Sequence, residues 1–336
     1  MTDRLEDRMP EDFGSSEEKA VLCAGEILVD IISKEPGKGL ESSVLFERRP
    51  GGSPFNVAIG TRRLGVQTAF LSKLGGDHFA HSLLEYLQSN SIMTEYVAMS
   101  PSHKTTLAFA AIDEKGKPEF TFYRDNAADV SLSEHEVENI EPENFLLFHF
   151  GSIALLHEPA ASAYMRVFDS FCSAGVVTTF DPNIRPSLVS DKPAFLRLLH
   201  RIIPSCDVVK LSDDDLSFIA ENPERSIEQM ARELPVKDDA LLIITLGNKG
   251  AGVLRRRKWV VVPGFNVKVE ETTGCGDAFM AGIISQAVKR DMDLSDVESM
   301  VAYANACAAI VATRIGAANA MPEEDEVALF IDKHRY

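Results

Sequence analysis

The chain has no apolar run of membrane-spanning length, no CxxC pair or other cysteine spacing suited to a metal, no internal repeat and no low-complexity tract. Each absence removes a class of protein. Without about 20 consecutive apolar residues no transmembrane helix is expected. Five cysteines (Cys23, Cys172, Cys206, Cys275 and Cys307) without paired spacing point to reduced thiols and away from a disulfide framework or zinc site. Basic residues are the minority. The 34 Lys and Arg against 51 Asp and Glu leave a formal charge of −17, which disfavours nucleic acid and anionic membrane as partners. An anionic nucleotide stays compatible where local amides and a metal offset the repulsion. The opening residues lack the apolar h-region of a secretory signal and are too acidic for a transit peptide. A solvated, disordered tail over residues 1–19 and a cytoplasmic location are therefore expected. What is present is 336 residues, 45% of them hydrophobic, enough for one large core and a small accessory sheet.

Ordered structure is expected from Ala20 onward. Val21 to Gly25 reads as a buried strand, and Leu28 to Ile32 continues extended, carrying Asp30 toward a site. Ser33 to Pro50, rich in Gly, Pro, Glu and Lys around Val44-Leu45-Phe46, suits a surface hairpin of a lid. A helix over Pro54 to Leu64, a strand over Ala69 to Lys73 and a helix from Asp77 through Asn90 follow. Thr105 to Ile112 and Glu119 to Tyr123 flank the turn Glu114-Lys115-Gly116-Lys117 in the pattern of a β-hairpin. Beyond Phe145, strands at Leu146 to Phe150, Val176 to Asp181, Val208 to Leu211 and Leu241 to Leu246 alternate with helices at Ala160 to Ala174 and Ala194 to Ile203. That alternation indicates βα units in a mainly parallel sheet, whose ligands collect beyond the carboxyl ends of the strands. Asp30, the Asp181 to Arg185 stretch and Gly247 all fall at such ends.

Glu271-Thr272-Thr273-Gly274-Cys275-Gly276-Asp277-Ala278-Phe279 places a carboxylate in a small-residue turn that opens a helix running to Lys289. Unpaired backbone N–H groups and the positive end of the helix dipole make such a turn an anion site, and glycine lets a phosphate approach closely. Asp277 could take a proton from an attacking hydroxyl while the amides hold the charge on the transferred group. The same residues also read as a plain tight connection with a capping aspartate. A second motif favours the catalytic reading: Gly51-Gly52-Ser53-Pro54-Phe55-Asn56-Val57-Ala58 puts two glycines ahead of a helix and an amide one turn into it. Cys275, in the anion-binding turn, reads as a small packing residue or as a thiol of depressed pKa.

Together, and in this order, the two motifs resemble the signatures of the ribokinase-like (PfkB) carbohydrate kinase family. The likeness is strongest to its fructokinases and covers most of the chain. Further matching stretches are Gly25 to Asp30, Phe122 to Asp129, Phe148 to Ile153, Asp181 to Arg185, Thr245 to Gly250, and Ala304 to Cys307 with Gly316 to Pro322. The resemblance implies a three-layer α/β/α domain over residues 20–336, with a mainly parallel central sheet and a small β-sheet lid formed by 31–50 and 98–125. It implies Asp277 as base, Gly274, Cys275 and Gly276 as an anion hole, and Asp30, Gly51, Gly52, Asn56, Arg124 and Arg185 as sugar contacts. Phe109 and Phe122 would cover the sugar, unless they are simple core. Ser212, Asp215, Thr245, Gly247, Gly250 and Asn305 would serve the nucleotide, with Lys249 either a phosphate ligand or a solvated loop charge.

Three positions depart from the family pattern. Ser212-Asp213-Asp214-Asp215 stands where many relatives carry Asn-x-x-Glu, so Asp215 would act on Mg²⁺ through water. Glu271 replaces a common Asp, and Cys275 a common Ala. In several relatives that Asp helps bind a monovalent cation, so Glu271, Thr273 and Gly316 form a candidate K⁺ site whose use the longer side chain puts in question. The expected reaction is MgATP-dependent phosphorylation of D-fructose to fructose 6-phosphate. Related activities on 2-keto-3-deoxygluconate, ribose or a nucleoside, and a non-catalytic scaffold, are the alternatives. The lid hairpins could pair two copies across a two-fold axis.

Overall fold

Strand β1 (Ala20–Ala24) is buried along its whole length because both of its faces are covered. Val21 and Cys23 join one apolar cluster, while Ala20, Leu22 and Ala24 join another. Alternate side chains of a strand point to opposite faces, so these clusters are the two halves of a sandwich with the sheet between. Helices Ser53–Arg63, Cys275–Lys289 and Val297–Ala312 supply the first cluster. Ala160–Ala174 and Lys192–Ile202 supply the second. This computed structural model describes residues 19–115, 118–220 and 224–334. Apart from Lys19, the tail expectation lies outside the described residues, as does half of the Glu114 to Lys117 turn.

In chain order the remaining strands are β2 (Leu28–Ser33), β3 (Phe46–Gly51), β4 (Thr68–Leu74), β5 (Val97–Met99), β6 (Leu107–Ile112), β7 (Pro118–Tyr123), β8 (Phe145–Gly151), β9 (Val177–Asp181), β10 (Val208–Ser212), β11 (Leu241–Thr245), β12 (Ala251–Arg255) and β13 (Lys258–Val262). The main sheet runs β13-β12-β11-β10-β9-β8-β1-β4-β5 and is parallel from β11 to β5. β12 and β13 add an antiparallel edge. The sequence reading gave no strand there: the Arg255-Arg256-Arg257-Lys258 run breaks the apolar pattern, and a glycine carries part of the packing. A Cβ on Gly252 would stand 2.1 Å from the Trp259 ring, so only glycine lets that indole cross the hairpin. Elsewhere the expected elements are observed within a residue or two.

The second sheet, β3-β2-β6-β7, is the expected lid. Val97–Met99, inside the expected lid segment, instead pairs with β4 at the edge of the main sheet. Register decides which lid residues face the cleft. Asp30 pairs with Arg49 on one side and Ala108 on the other, and Ala108 with Phe122. Paired residues share a face, so Asp30, Arg49, Ala108 and Phe122 stand together. Phe109 is one residue out of step and lies on the opposite face, in ring contact with Phe46 and Tyr123. Of the two expected covering aromatics, only Phe122 is on the face of Asp30.

Candidate active site

Helix Cys275–Lys289 begins where Gly274 adopts a φ of 81°, and a Cβ there would stand 2.9 Å from Ala317 Cα. The left-handed backbone and the close approach both demand glycine. Cys275 N–H donates to Thr272 O, and the first helical bond runs from Ala278 N–H to Gly274 O at 2.8 Å. The N–H groups of Gly276 and Asp277 therefore lack an acceptor within the helix and carry its positive dipole end.

In that same turn the Asp277 side chain is buried, and the distant glycine motif supplies its partners. Oδ1 accepts from Ser53 Oγ at 2.6 Å, and Oδ2 accepts from Asn56 Nδ2 at 2.8 Å. Burial pushes the Asp277 carboxyl up, while the Ser53 and Asn56 hydrogen bonds and the charges of Lys210 and Arg185 pull it back. Asn56 Oδ1 is buried without a hydrogen-bond partner among the described residues, which leaves an acceptor on the side chain that holds Asp277. Gly52 has a φ of 113° and packs on Glu26: a Cβ would fall 2.4 Å from its carbonyl oxygen. A Cβ on Gly51 would fall 2.0 Å from Asp30 Oδ2, so Gly51 is what admits the Asp30 carboxylate beside the turn. Burial raises the Asp30 carboxyl to about 7, against the lowering charges of Arg185 and Arg49.

Arg185 is exposed after β9, where its Nη1 donates to Asn183 Oδ1 at 2.7 Å, and its charge reaches Asp30 and Asp277. Arg124 is placed differently. Its Nε and Nη2 both donate to Asp129 Oδ2, at 2.8 and 2.6 Å, and Nη1 donates to Ile153 O. This buried pair braces the wall behind Glu26 and makes no hydrogen bond to the Asp277 cluster. Cys275 is a packing residue: burial, then the charges of Asp277 and Glu271, push its thiol up to about 12. That direction, set first by burial and then by the neighbouring carboxylates, is opposite to the depressed thiol of the alternative reading.

The side chains expected to serve a nucleotide are largely spent on scaffolding. Asp215 Oδ2 accepts from Ser212 N and Ser212 Oγ at 2.8 and 2.7 Å, and Oδ1 accepts from Ile184 N at 2.7 Å. It ties the start of helix Asp213–Ala220 to the loop after β9. Thr245 Oγ1 leans on Leu211 O, and Asn305 Nδ2 donates to Val262 O and Pro263 O, fixing the loop after β13. Gly250 is required by contact, since a Cβ would lie 2.1 Å from Val262 O. Gly247 has a φ of 58° yet opens on free space, where a ligand can meet the backbone. Lys249 is an exposed loop residue.

Besides Arg49, three residues of the site carry no role in the sequence analysis. Ser53 sat inside a quoted motif without a role. Glu26 is buried, with Oε1 accepting from Ser53 N at 3.0 Å, and burial raises its carboxyl to about 7. Lys210 is the third: its Nζ pairs with Asp181 Oδ2 at 2.7 Å, and a Cβ on Gly276 would stand 2.9 Å from that Nζ. A buried ammonium thus stands behind the Gly274 to Asp277 turn. A lysine in the middle of the otherwise apolar β10 was the available signal, because a buried parallel strand otherwise reads as continuously apolar.

For Mg²⁺ the donor set is hard oxygen: Asp181, Asp215 and Asp277 are buried around Lys210, three carboxylates to one ammonium. Among the described residues no three acidic, histidine or cysteine side chains form a metal cage. The fit is to an ion held mainly by phosphate oxygens and water. The candidate K⁺ residues fit poorly. Glu271 Oε2 accepts from Arg49 Nη1 at 3.1 Å and from Gly316 N at 3.0 Å, so a guanidinium and a backbone donor already face its carboxylate. Thr273 is exposed beside it.

Comparison with known proteins agrees with this geometry. Residues 18–324 match the family described as pfkB family carbohydrate kinase. A probable chloroplastic fructokinase-6 of Arabidopsis thaliana is 33% identical over 319 residues, 94% of this chain and 83% of that protein. A fructokinase from Xylella fastidiosa, solved with bound ATP, superposes with a TM-score of 0.84 at 28% identity, covering 95% of this chain and all of that one. A double mutant of Vibrio cholerae fructokinase, solved with fructose, ADP and potassium, gives 0.81 at 27% identity over 94% of this chain and 99% of that one. Among the described residues no helix is long and apolar enough to cross a membrane. With the family matched over nearly the whole chain and its two signature turns meeting at Asp277, the chain belongs to the pfkB family of carbohydrate kinases.

Proposed function

We propose that the chain transfers the γ-phosphoryl group of ATP to the primary hydroxyl of D-fructose, giving ADP and fructose 6-phosphate, with Asp277 as base. One observation carries this reading: a buried carboxylate shares a helical turn with two unpaired N–H groups and is bonded to Ser53 and Asn56 of the remote glycine turn. Asp30 and the free Asn56 Oδ1 would accept sugar hydroxyls from the lid and cleft sides. As the sugar oxygen bonds to phosphorus and the β,γ-bridging bond breaks, its proton passes to an Asp277 oxygen. The amides of Gly276 and Asp277, backed by Lys210, hold charge on the transferred group. ATP would lie along Gly247 to Gly250, between Thr245 and Asn305. Mg²⁺, held through phosphate oxygens with Asp215 acting through water, would neutralise the β- and γ-phosphates.

The fructokinase names of the relatives and the sugar- and ATP-bound neighbours support the choice of substrates. A cytoplasmic enzyme suits the five unpaired thiols, and exposed Val44, Leu45, Phe120 and Tyr123 on the lid segments suit pairing of two copies. The test is product formation from MgATP with fructose, ribose, 2-keto-3-deoxygluconate, adenosine and glucose, beside Asp277→Asn. Preference for fructose, abolished by that substitution with ATP binding retained, is the expected result. Near-normal turnover by Asp277→Asn would remove it as the base, and preference for another acceptor would replace the substrate.

A further inference from the structure

Arg49 belongs to the lid, yet its guanidinium reaches the loop that forms the anion-binding turn. Nη1 donates to Glu271 Oε2 at 3.1 Å and Oε1 at 3.4 Å, while Nε and Nη2 are steadied by Glu47 at 3.2 and 3.3 Å. Glu271 in turn accepts from Gly316 N, and the Glu270 and Glu271 N–H groups donate to Ala312 O. One carboxylate therefore joins three pieces of chain: strand β3, the segment leading into Thr272-Thr273-Gly274, and the loop after helix Val297–Ala312. Arg49 is largely buried and shares the cleft face of the lid with its strand partner Asp30. The extra methylene of Glu271, compared with the Asp expected from the family resemblance, gives the carboxylate the reach for both Arg49 and Gly316 N–H.

We propose that Arg49 is a positioning residue that supplies a built-in positive charge at Glu271, so that the anion-binding turn is held by a lid residue and not by a bound monovalent cation. A guanidinium is a fixed, always charged fork suited to a carboxylate. With Arg49, itself steadied by Glu47, and Gly316 N–H both donating to Glu271, a cation would have to displace an ion pair that the chain already provides. This inference rests on the proposed sugar-kinase reading for its kinetic arm, and its binding arm does not.

The experiment uses the full chain as wild type, Arg49→Ala, Arg49→Lys and Glu271→Asp. Turnover of fructose and MgATP is measured in potassium chloride and in tetramethylammonium chloride at equal ionic strength, and thallium(I) binding is followed by calorimetry and ²⁰⁵Tl NMR. For wild type, potassium should change kcat less than about twofold and thallium should not bind saturably. Arg49→Ala should lose about 10- to 100-fold in kcat with a smaller change in KM for fructose, the cost of a misplaced catalytic turn. Added guanidinium or potassium should restore part of that loss, and thallium should bind this variant. Arg49→Lys, which keeps the charge without the fork, should fall between the two and keeps the test decisive if Arg49→Ala does not fold. Saturable thallium binding by wild type, strong potassium activation of wild type, or a kcat in both Arg49 variants equal to wild type would each overturn the proposal. If no sugar turns over, the substrate reading fails by itself, and thallium binding to wild type and Arg49→Lys still decides this one.

Discussion

Two buried aspartates stand in the first turns of two helices at the same end of the sheet, and their surroundings differ. Asp215 receives two backbone N–H groups and the hydroxyl of Ser212, all within its own scaffold. Asp277 receives only side-chain donors, Ser53 and Asn56, from an element far away in sequence. Backbone donors cannot be exchanged without unravelling the turn they belong to. A side-chain hydroxyl or amide can be replaced by an incoming sugar hydroxyl. Burial alone therefore does not mark a reacting group; the role proposed for Asp277 rests on partners that are replaceable and on neighbouring N–H groups without an acceptor in the helix.

The comparison is broken most directly by equalising the two carboxylates. Asp277→Asn should lower kcat by about 10² to 10⁴, the usual worth of a general base, with ATP affinity by calorimetry little changed. Asp215→Asn should act first on stability, since it weakens the tie to Ile184 N and to Ser212. Leaving a buried donor unsatisfied costs about 1–3 kcal/mol, which corresponds to a drop of several degrees in Tm by scanning calorimetry. If Asp215→Asn loses as much kcat as Asp277→Asn at unchanged Tm, the water-mediated Mg²⁺ role proposed for Asp215 outweighs its scaffolding role and the contrast is wrong.

Acidity sharpens the contrast further. The Asp30 carboxyl is raised to about 7, so kcat/KM for fructose should fall as pH drops through about 7, where Asp30 gains a proton and becomes a weaker, uncharged acceptor for a hydroxyl. The stability sign is the opposite. A carboxyl raised above its ordinary value favours the folded state most below that ordinary value, and this support is lost as pH rises through 7. Asp30→Asn should therefore weaken fructose binding and at pH 8 raise Tm by about 1–3 °C, with no gain at pH 4. A lowered Tm at pH 8 would show that the charged carboxylate stabilises the lid. The smallest effect is expected at the lid surface, where Phe120→Ser with Tyr123→Ser should shift sedimentation toward monomer and leave the kcat of each copy within about twofold, as for surface changes remote from chemistry.

Much of the fold was legible because its signals are local. The Ala160–Ala174 helix and the parallel strands β8 to β11 follow from periodicity and from strand–helix alternation. Asp277 and the glycine turn at 51–52 were legible because a close approach to backbone or ligand leaves a glycine in the sequence, and the family likeness gave them roles. Arg49 could not be found this way: nothing near it in sequence marks a charged residue in a lid strand as the partner of Glu271. Arg124 reads in the sequence equally as a ligand-holding cation or as a solvated surface charge, and the structure buries it against Asp129 and Ile153 O.

The sequence by itself determined the elements, the α/β class, the two glycine turns and the carboxylate at a helix start, because these depend on backbone conformation and on spacing within a few residues. Only the tertiary structure decided which charges are paired. Whether Asp277, Asp215, Arg124, Lys210 and Arg49 remain free or are spent depends on partners tens to hundreds of residues away, and on burial, which makes an unpaired charge too costly to leave alone.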